Sequence, residues 1–161
     1  MWRLVRQSLA LLMSLVSLGA MGREVVPVVD YTNIPVSTAS GKPLTAEQVR
    51  DVIVSAGQSN KWEIARRPGQ DLLTATLEVR GKHTVVVTIP YSAAKFSIRY
   101  ESSTNMKYSV RDKSMVVSSN PMIANGRGVP TAADGIPVIH PAYNLWVHDL
   151  LQAIQGELKK L

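Results

Sequence analysis

Two hydrophobic periods alternate along the chain, and the changes between them mark out its elements. From Leu44 to Asn60 the apolar residues Val49, Val52, Ile53 and Ala56 recur at helical spacing and form one face. Thr45 can cap the first amides and Gln48, three residues on, can reach back to the cap, while Leu44 and Val49 have the spacing of a hydrophobic staple. Gly57 is placed to end this helix. The period then changes to two. In Leu72 to Arg80 the apolar Leu73, Ala75, Leu77 and Val79 alternate with Thr74, Thr76, Glu78 and Arg80. His83 to Ile89 repeats the pattern with Val85, Val87 and Ile89 on one face, after a short turn at Gly81-Lys82. A further alternating stretch, Lys95 to Glu101, sets Phe96, Ile98 and Tyr100 opposite Ser97 and Arg99. Trp62 and Ile64 predict a first strand closing at Pro68-Gly69, and Met106, Tyr108 and Val110 a weaker last one.

The second helix starts after His140-Pro141, since proline loses nothing at a first-turn position. Tyr143, Val147, Leu150, Leu151, Ile154, Leu158 and Leu161 make its apolar stripe, with Trp146 beside it. Before the first helix, residues 21–43 carry Pro27, Pro35, Pro43 and Gly41 without helical period and read as an extended leader. Val25, Val26, Val28 and Val29 can form a short edge strand there. Residues 111–137 hold three prolines and three glycines and read as a long loop, with Met115 to Val117 as a short strand within it. An antiparallel sheet with one apolar face needs a cover, which two amphipathic helices supply. The expected fold is therefore α+β, a two-layer sandwich in which two helices cover one face of a three- to four-stranded antiparallel sheet. Its order would be α-β-β-β-β-α within a single domain over 44–161.

The first residues carry an address instead of a fold. Arg3 and Arg6 precede an apolar stretch from Ser8 to Leu18, and small residues follow at Ser17, Gly19 and Ala20. Residues 1–20 thus read as a cleaved signal peptide and the protein as periplasmic. The alternative is an uncleaved segment anchoring it in the inner membrane, although the uncharged run between Arg6 and Arg23 is shorter than the ~20 residues a spanning helix needs. The 161-residue chain has no cysteine, which excludes disulfides, thiolate chemistry and a lipid attached through an N-terminal cysteine. Its net charge of +6 falls to +4 on loss of Arg3 and Arg6.

With these elements in place, the chain resembles a group of small exported proteins and lipoproteins of Gram-negative bacteria that carry no assigned activity. The likeness rests on Tyr91, Ser97-Ile98-Arg99-Tyr100, Ser103, Asn105, Tyr108 and the run Ile139-His140-Pro141-Ala142-Tyr143-Asn144-Leu145-Trp146-Val147, and spans about 60–158. It implies an envelope location and a helix-on-sheet fold, and no catalytic residue comes with it. Many members carry a lipid-attachment cysteine, which this chain lacks.

The candidate chemistry is sparse. His140 and His148 lie two helical turns apart, too far to share a metal ion, and neither HExxH nor a carboxylate cluster accompanies them. His140 is expected instead to hydrogen-bond at the helix start. No GxSxG or SxxK element marks a nucleophile and no carboxylate pair marks acid–base work, so no catalytic residue, metal or cofactor is assigned. Between Lys61 and Lys113 ten basic residues face five acidic ones. Arg80, Lys82, Lys95 and Arg99 are the candidates for an anion-facing surface on the sheet's polar side; the plainer reading is a solvated face with edge lysines that discourage aggregation. Asn105, His140, Tyr143, Asn144 and Trp146 are candidates to line a cleft between the last helix and the sheet edge. Nucleic acid is a poor partner for an exported protein without an aromatic ladder beside its charge. The function expected is non-enzymatic binding of an envelope protein or an anionic envelope component. A cell-wall hydrolase or transferase, or an assembly accessory, is the alternative.

Overall fold

Thr45 starts the first helix as its spacing predicts. Its hydroxyl accepts from the Gln48 amide at 3.2 Å while the Gln48 side chain accepts from the Thr45 amide at 2.9 Å, and α1 runs Ala46–Ser59. These contacts come from a computed structural model that describes residues 24–112 and 135–161. The expected signal segment, and most of the 111–137 loop with its strand at 115–117, lie outside the described residues. α1 continues past Gly57 to Ser59, because Gly57 serves packing and not termination: a Cβ there would stand 2.6 Å from Ile64 Cδ1. Glycine lets the helix approach the strand that follows it.

The chain is α+β, with two helices and two antiparallel sheets. The strands are β1 (Val26–Pro27), β2 (Tyr31–Pro35), β3 (Glu63–Arg66), β4 (Leu72–Val79), β5 (His83–Pro90), β6 (Lys95–Thr104), β7 (Ser109–Arg111) and β8 (Ile136–Ile139). The second helix, α2, spans Ala142–Leu158. A five-stranded sheet has the order β2-β6-β5-β4-β3, and a three-stranded sheet the order β1-β8-β7.

Both departures from the expected three or four strands have one cause. Segments without periodicity acquire strand geometry by pairing, either with β6 or with one another. The leader supplies β1 to β8, with Val26 opposite Ile139, and β2 to β6, with Ile34 opposite Phe96. The weaker strand expected around Met106, Tyr108 and Val110 forms as β7, and the end of the expected loop becomes β8, with Val110 opposite Pro137.

One main core joins the helices to the five-stranded sheet. Val49, Ile53 and Ala56 from α1, and Tyr143, Val147, Leu150, Ile154 and Leu158 from α2, meet Leu73, Ala75, Val85, Val87, Ile89, Phe96 and Ile98 from the strands. Burying each large aliphatic side chain contributes roughly 1.5–3 kcal/mol, so this shared face dominates the stability. The leader adds Val28 to the same cluster. Ile136 and Val138 form a second, smaller cluster with Val25.

Candidate functional site

Alternation puts the polar residues of β4, β5 and β6 on the face turned away from the core. Thr74, Thr88 and Arg99 lie in one row across the three strands; Thr76, Val86 and Ser102 form the next, and Glu78, Thr84 and Thr104 the third. The β5–β6 register breaks between Val86 and Val87, which leaves β6 one extra residue, Glu101. That bulge turns Glu101 toward Arg67. The guanidinium of Arg67 pairs with Glu101 and also donates through Nε to Thr74 Oγ1 at 3.0 Å, so it straps the face from β4 to β6.

The basic candidates are not gathered on this face. Arg80 and Lys82 sit exposed in the β4–β5 turn, whereas Lys95 opens β6 at the opposite end of the sheet. Eight residues of β5 separate those ends, about 26 Å at strand rise. Arg99 stands exposed in the middle. The face carries Arg67, Lys95 and Arg99 against Glu63, Glu78 and Glu101, and its charge balances.

The second candidate group does converge, around the start of α2. Pro141 cannot cap α2 with a side chain, and His140 takes over: its Nδ1 accepts from the Ala142 amide at 3.1 Å, and its own amide donates to the Met106 carbonyl at 2.8 Å. Asn105 Nδ2 donates to the Lys82 carbonyl at 2.6 Å, and His83 Nδ1 donates to the Asn105 carbonyl at 3.0 Å, tying the β4–β5 turn to the end of β6. Asn105 therefore works as a turn residue, with a positive φ of 58°. Asn144 reads the leader's backbone. Its Nδ2 donates to the Pro27 carbonyl (2.9 Å) and its Oδ1 accepts from the Val29 amide (3.1 Å), which covers the outer edge of β1. Trp146 is half-buried and packs against the main core.

Tyr143 is fully buried, and the edge of its ring meets Tyr100 at 5.6 Å between centroids. Tyr108, half-exposed, stacks on Tyr100 at 4.6 Å and 8°. A ladder of three tyrosines thus leads from core to surface. The Tyr143 hydroxyl has no hydrogen-bond partner among the described residues. Burial pushes its phenol far above the ordinary value, and the charge of Asp30 adds to the shift. Asp30 accepts from the Tyr100 amide at 2.9 Å, holding the leader to β6. Burial also raises the Tyr100 phenol, against the opposing effect of the hydrogen bond its hydroxyl shares with Ser103 Oγ at 3.0 Å. Tyr31, raised by burial, shares a hydrogen bond with His148 Nδ1 at 3.2 Å.

Asp30, Tyr31, Ser103 and His148 belong to this cluster, and of these the sequence pattern does not select Asp30 and Tyr31. Asp30 and Tyr31 lie in an aperiodic leader, and nothing local signals that they fold back more than a hundred residues onto α2. The Arg67–Glu101 strap was equally hidden, because it depends on a bulge. Among the described residues no group of three or more His, Asp or Glu side chains converges as a metal site, and no helix is long and apolar enough to cross a membrane. An open hollow of about 420 Å³ between the leader's end and the β5–β6 turn is lined by Val36, Ser37, Thr38, Lys42, Leu44 and Ala94. Comparisons with protein families, curated proteins and solved structures returned no match.

Proposed function

We propose that this is a periplasmic, non-enzymatic binding protein of the cell envelope, a two-layer sandwich that recognises a protein partner through the polar face of its five-stranded sheet. One observation carries the reading: the face turned away from the core is a regular array of short hydroxyl side chains, Thr74, Thr76, Thr84, Thr88, Ser102 and Thr104, in register across three strands. Short side chains lose little rotamer freedom on docking, so such a surface costs less to cover than one of lysines. Its balanced charge favours a protein surface over a polyanion such as an acidic envelope polymer. The uncharged run after Arg6 supports export.

The test is affinity capture from the protein's own envelope, comparing the unaltered chain with Thr88→Arg and Arg99→Glu. One protein captured by the unaltered chain and lost by both variants, with thermal unfolding unchanged, supports the face. Capture undiminished in both returns it to a solvated surface.

A further inference from the structure

The edges of the two sheets are treated differently, and among the described residues the edge at β3 is left open. β2 is a poor template: its register with β6 breaks between Tyr31 and Ile34, Asn33 has a positive φ of 54°, and Pro35 ends the strand. The outer edge of β1 is covered by Asn144. β3, at the other end of the five-stranded sheet, has none of these protections. It contains no proline, and its four residues Glu63, Ile64, Ala65 and Arg66 pair without a break with Thr76, Ala75, Thr74 and Leu73.

The direction of each backbone group on β3 follows from one bond. The Arg67 amide donates to the Leu72 carbonyl at 3.1 Å, so Arg67–Leu72 is a hydrogen-bonded pair and, by alternation, so are Ala65–Thr74 and Glu63–Thr76. The amide and carbonyl groups of Ile64 and Arg66 therefore point away from β4, and among the described residues no further strand takes them up.

The geometry points to a second copy of this chain on that edge, joined antiparallel through β3 about a two-fold axis at Ala65. In this register Ile64 faces the partner's Arg66 and Arg66 faces the partner's Ile64, so every outward amide and carbonyl of the two edges is used. Ala65 meets the partner's Ala65 as a non-hydrogen-bonded pair, where the backbones come closest and a small side chain is needed. Glu63 stands opposite the partner's Arg67, both on the polar face, so each half of the symmetric contact brings a second carboxylate to a guanidinium that already holds Thr74 and Glu101. Shifting the axis to Ile64 would set Glu63 against the partner's Ala65 and lose both charge pairs. The product is one continuous ten-stranded sheet, with the two arrays of threonines side by side. This goes beyond the proposed partner binding and uses a different surface.

The absence of cysteine makes the test direct. In solution the chain should run as a concentration-dependent dimer by light scattering. Arg66→Pro removes an outward amide without touching a bond to β4, and it should weaken the dimer at least about tenfold while leaving circular dichroism and partner capture by the polar face unchanged. Ala65→Cys should form an intermolecular disulfide across the axis much faster than Thr104→Cys, which lies on β6 far from the edge. Either of two results overturns the inference: a monomer up to several hundred micromolar, or equal cross-linking by the two cysteine variants. A dimer that persists in Arg66→Pro overturns it as well, since that dimer uses another surface.

Discussion

Replacing Tyr143 by phenylalanine removes one oxygen from a fully buried side chain and leaves the ring that meets Tyr100 in place. In most proteins such a change destabilises, because the hydroxyl is hydrogen-bonded. Here it has no partner among the described residues. Burying an unsatisfied hydroxyl costs roughly 1–3 kcal/mol, and Tyr143→Phe is expected to recover about 1 kcal/mol of it after the small void left by the oxygen is counted. For a domain of this size that raises Tm by about 3–5 °C. The phenol adds a pH signature. Its pKa is raised in the fold, so the folded state holds its proton where the unfolded state has lost it. Its contribution is fully present below the unfolded value of about 10 and is lost as pH climbs above it, at up to about 1.4 kcal/mol per pH unit. Tyr31 and Tyr100 are shifted the same way, so the variant should keep part of the alkaline decline and lose the share due to Tyr143. Urea unfolding of both proteins at pH 7 and at pH 10.5 measures both effects. A variant less stable than the parent by 1 kcal/mol or more at pH 7 would refute the reasoning, since it would mean that the hydroxyl is satisfied in solution. Tyr143→Leu serves as the contrast: it discards the ring and should cost about 2–4 kcal/mol.

Asn144→Ala should free the leader by removing both backbone contacts to Pro27 and Val29, at a cost of about 1–3 kcal/mol. Hydrogen exchange would then quicken at Val29 and at the Tyr100 amide before it does in β4 and β5. Thr45→Ala removes the hydroxyl that accepts from the Gln48 amide while keeping the backbone amide that donates to the Gln48 side chain, and should cost about 1 kcal/mol in chemical unfolding, whereas Thr45→Ser should be nearly silent. Gly135→Ala should cost 2 kcal/mol or more, on the order expected for strained backbone. Its φ is +123°, and the new Cβ would lie 2.8 Å from the Arg111 carbonyl oxygen, a backbone atom that cannot turn aside. Unchanged unfolding of Gly135→Ala would show that β7 and β8 are joined differently.

Local chemistry carried a good part of this fold. The Thr45–Gln48 box, the alternation in β4 and β5, the turn at Gly81 and the stripe of α2 depend on neighbours within a few residues, and a reader of the sequence can see them. They determined an α+β chain and named most of its buried residues, because burial leaves a periodic trace wherever one face alone is covered. They also placed His140 at the start of α2, where a helix preceded by proline needs a substitute cap. What the tertiary structure alone decided is everything that depends on a distant partner. The sequence allowed an edge strand at Val25–Val29, but that the leader pairs with β8 and β6 was decided by the fold, and Asp30 and Tyr31 joined the tyrosine cluster with it. The basic residues looked like one patch along the chain, but charge has no period, and the fold sent Arg80 and Lys82 to one end of the sheet and Lys95 to the other. Glu101 acquired its place opposite Arg67 from a bulge, an extra residue that alternation does not announce. Periodicity reports which side of an element is buried; it is silent on which edges meet, and the candidate surfaces of this protein are made of edges and faces.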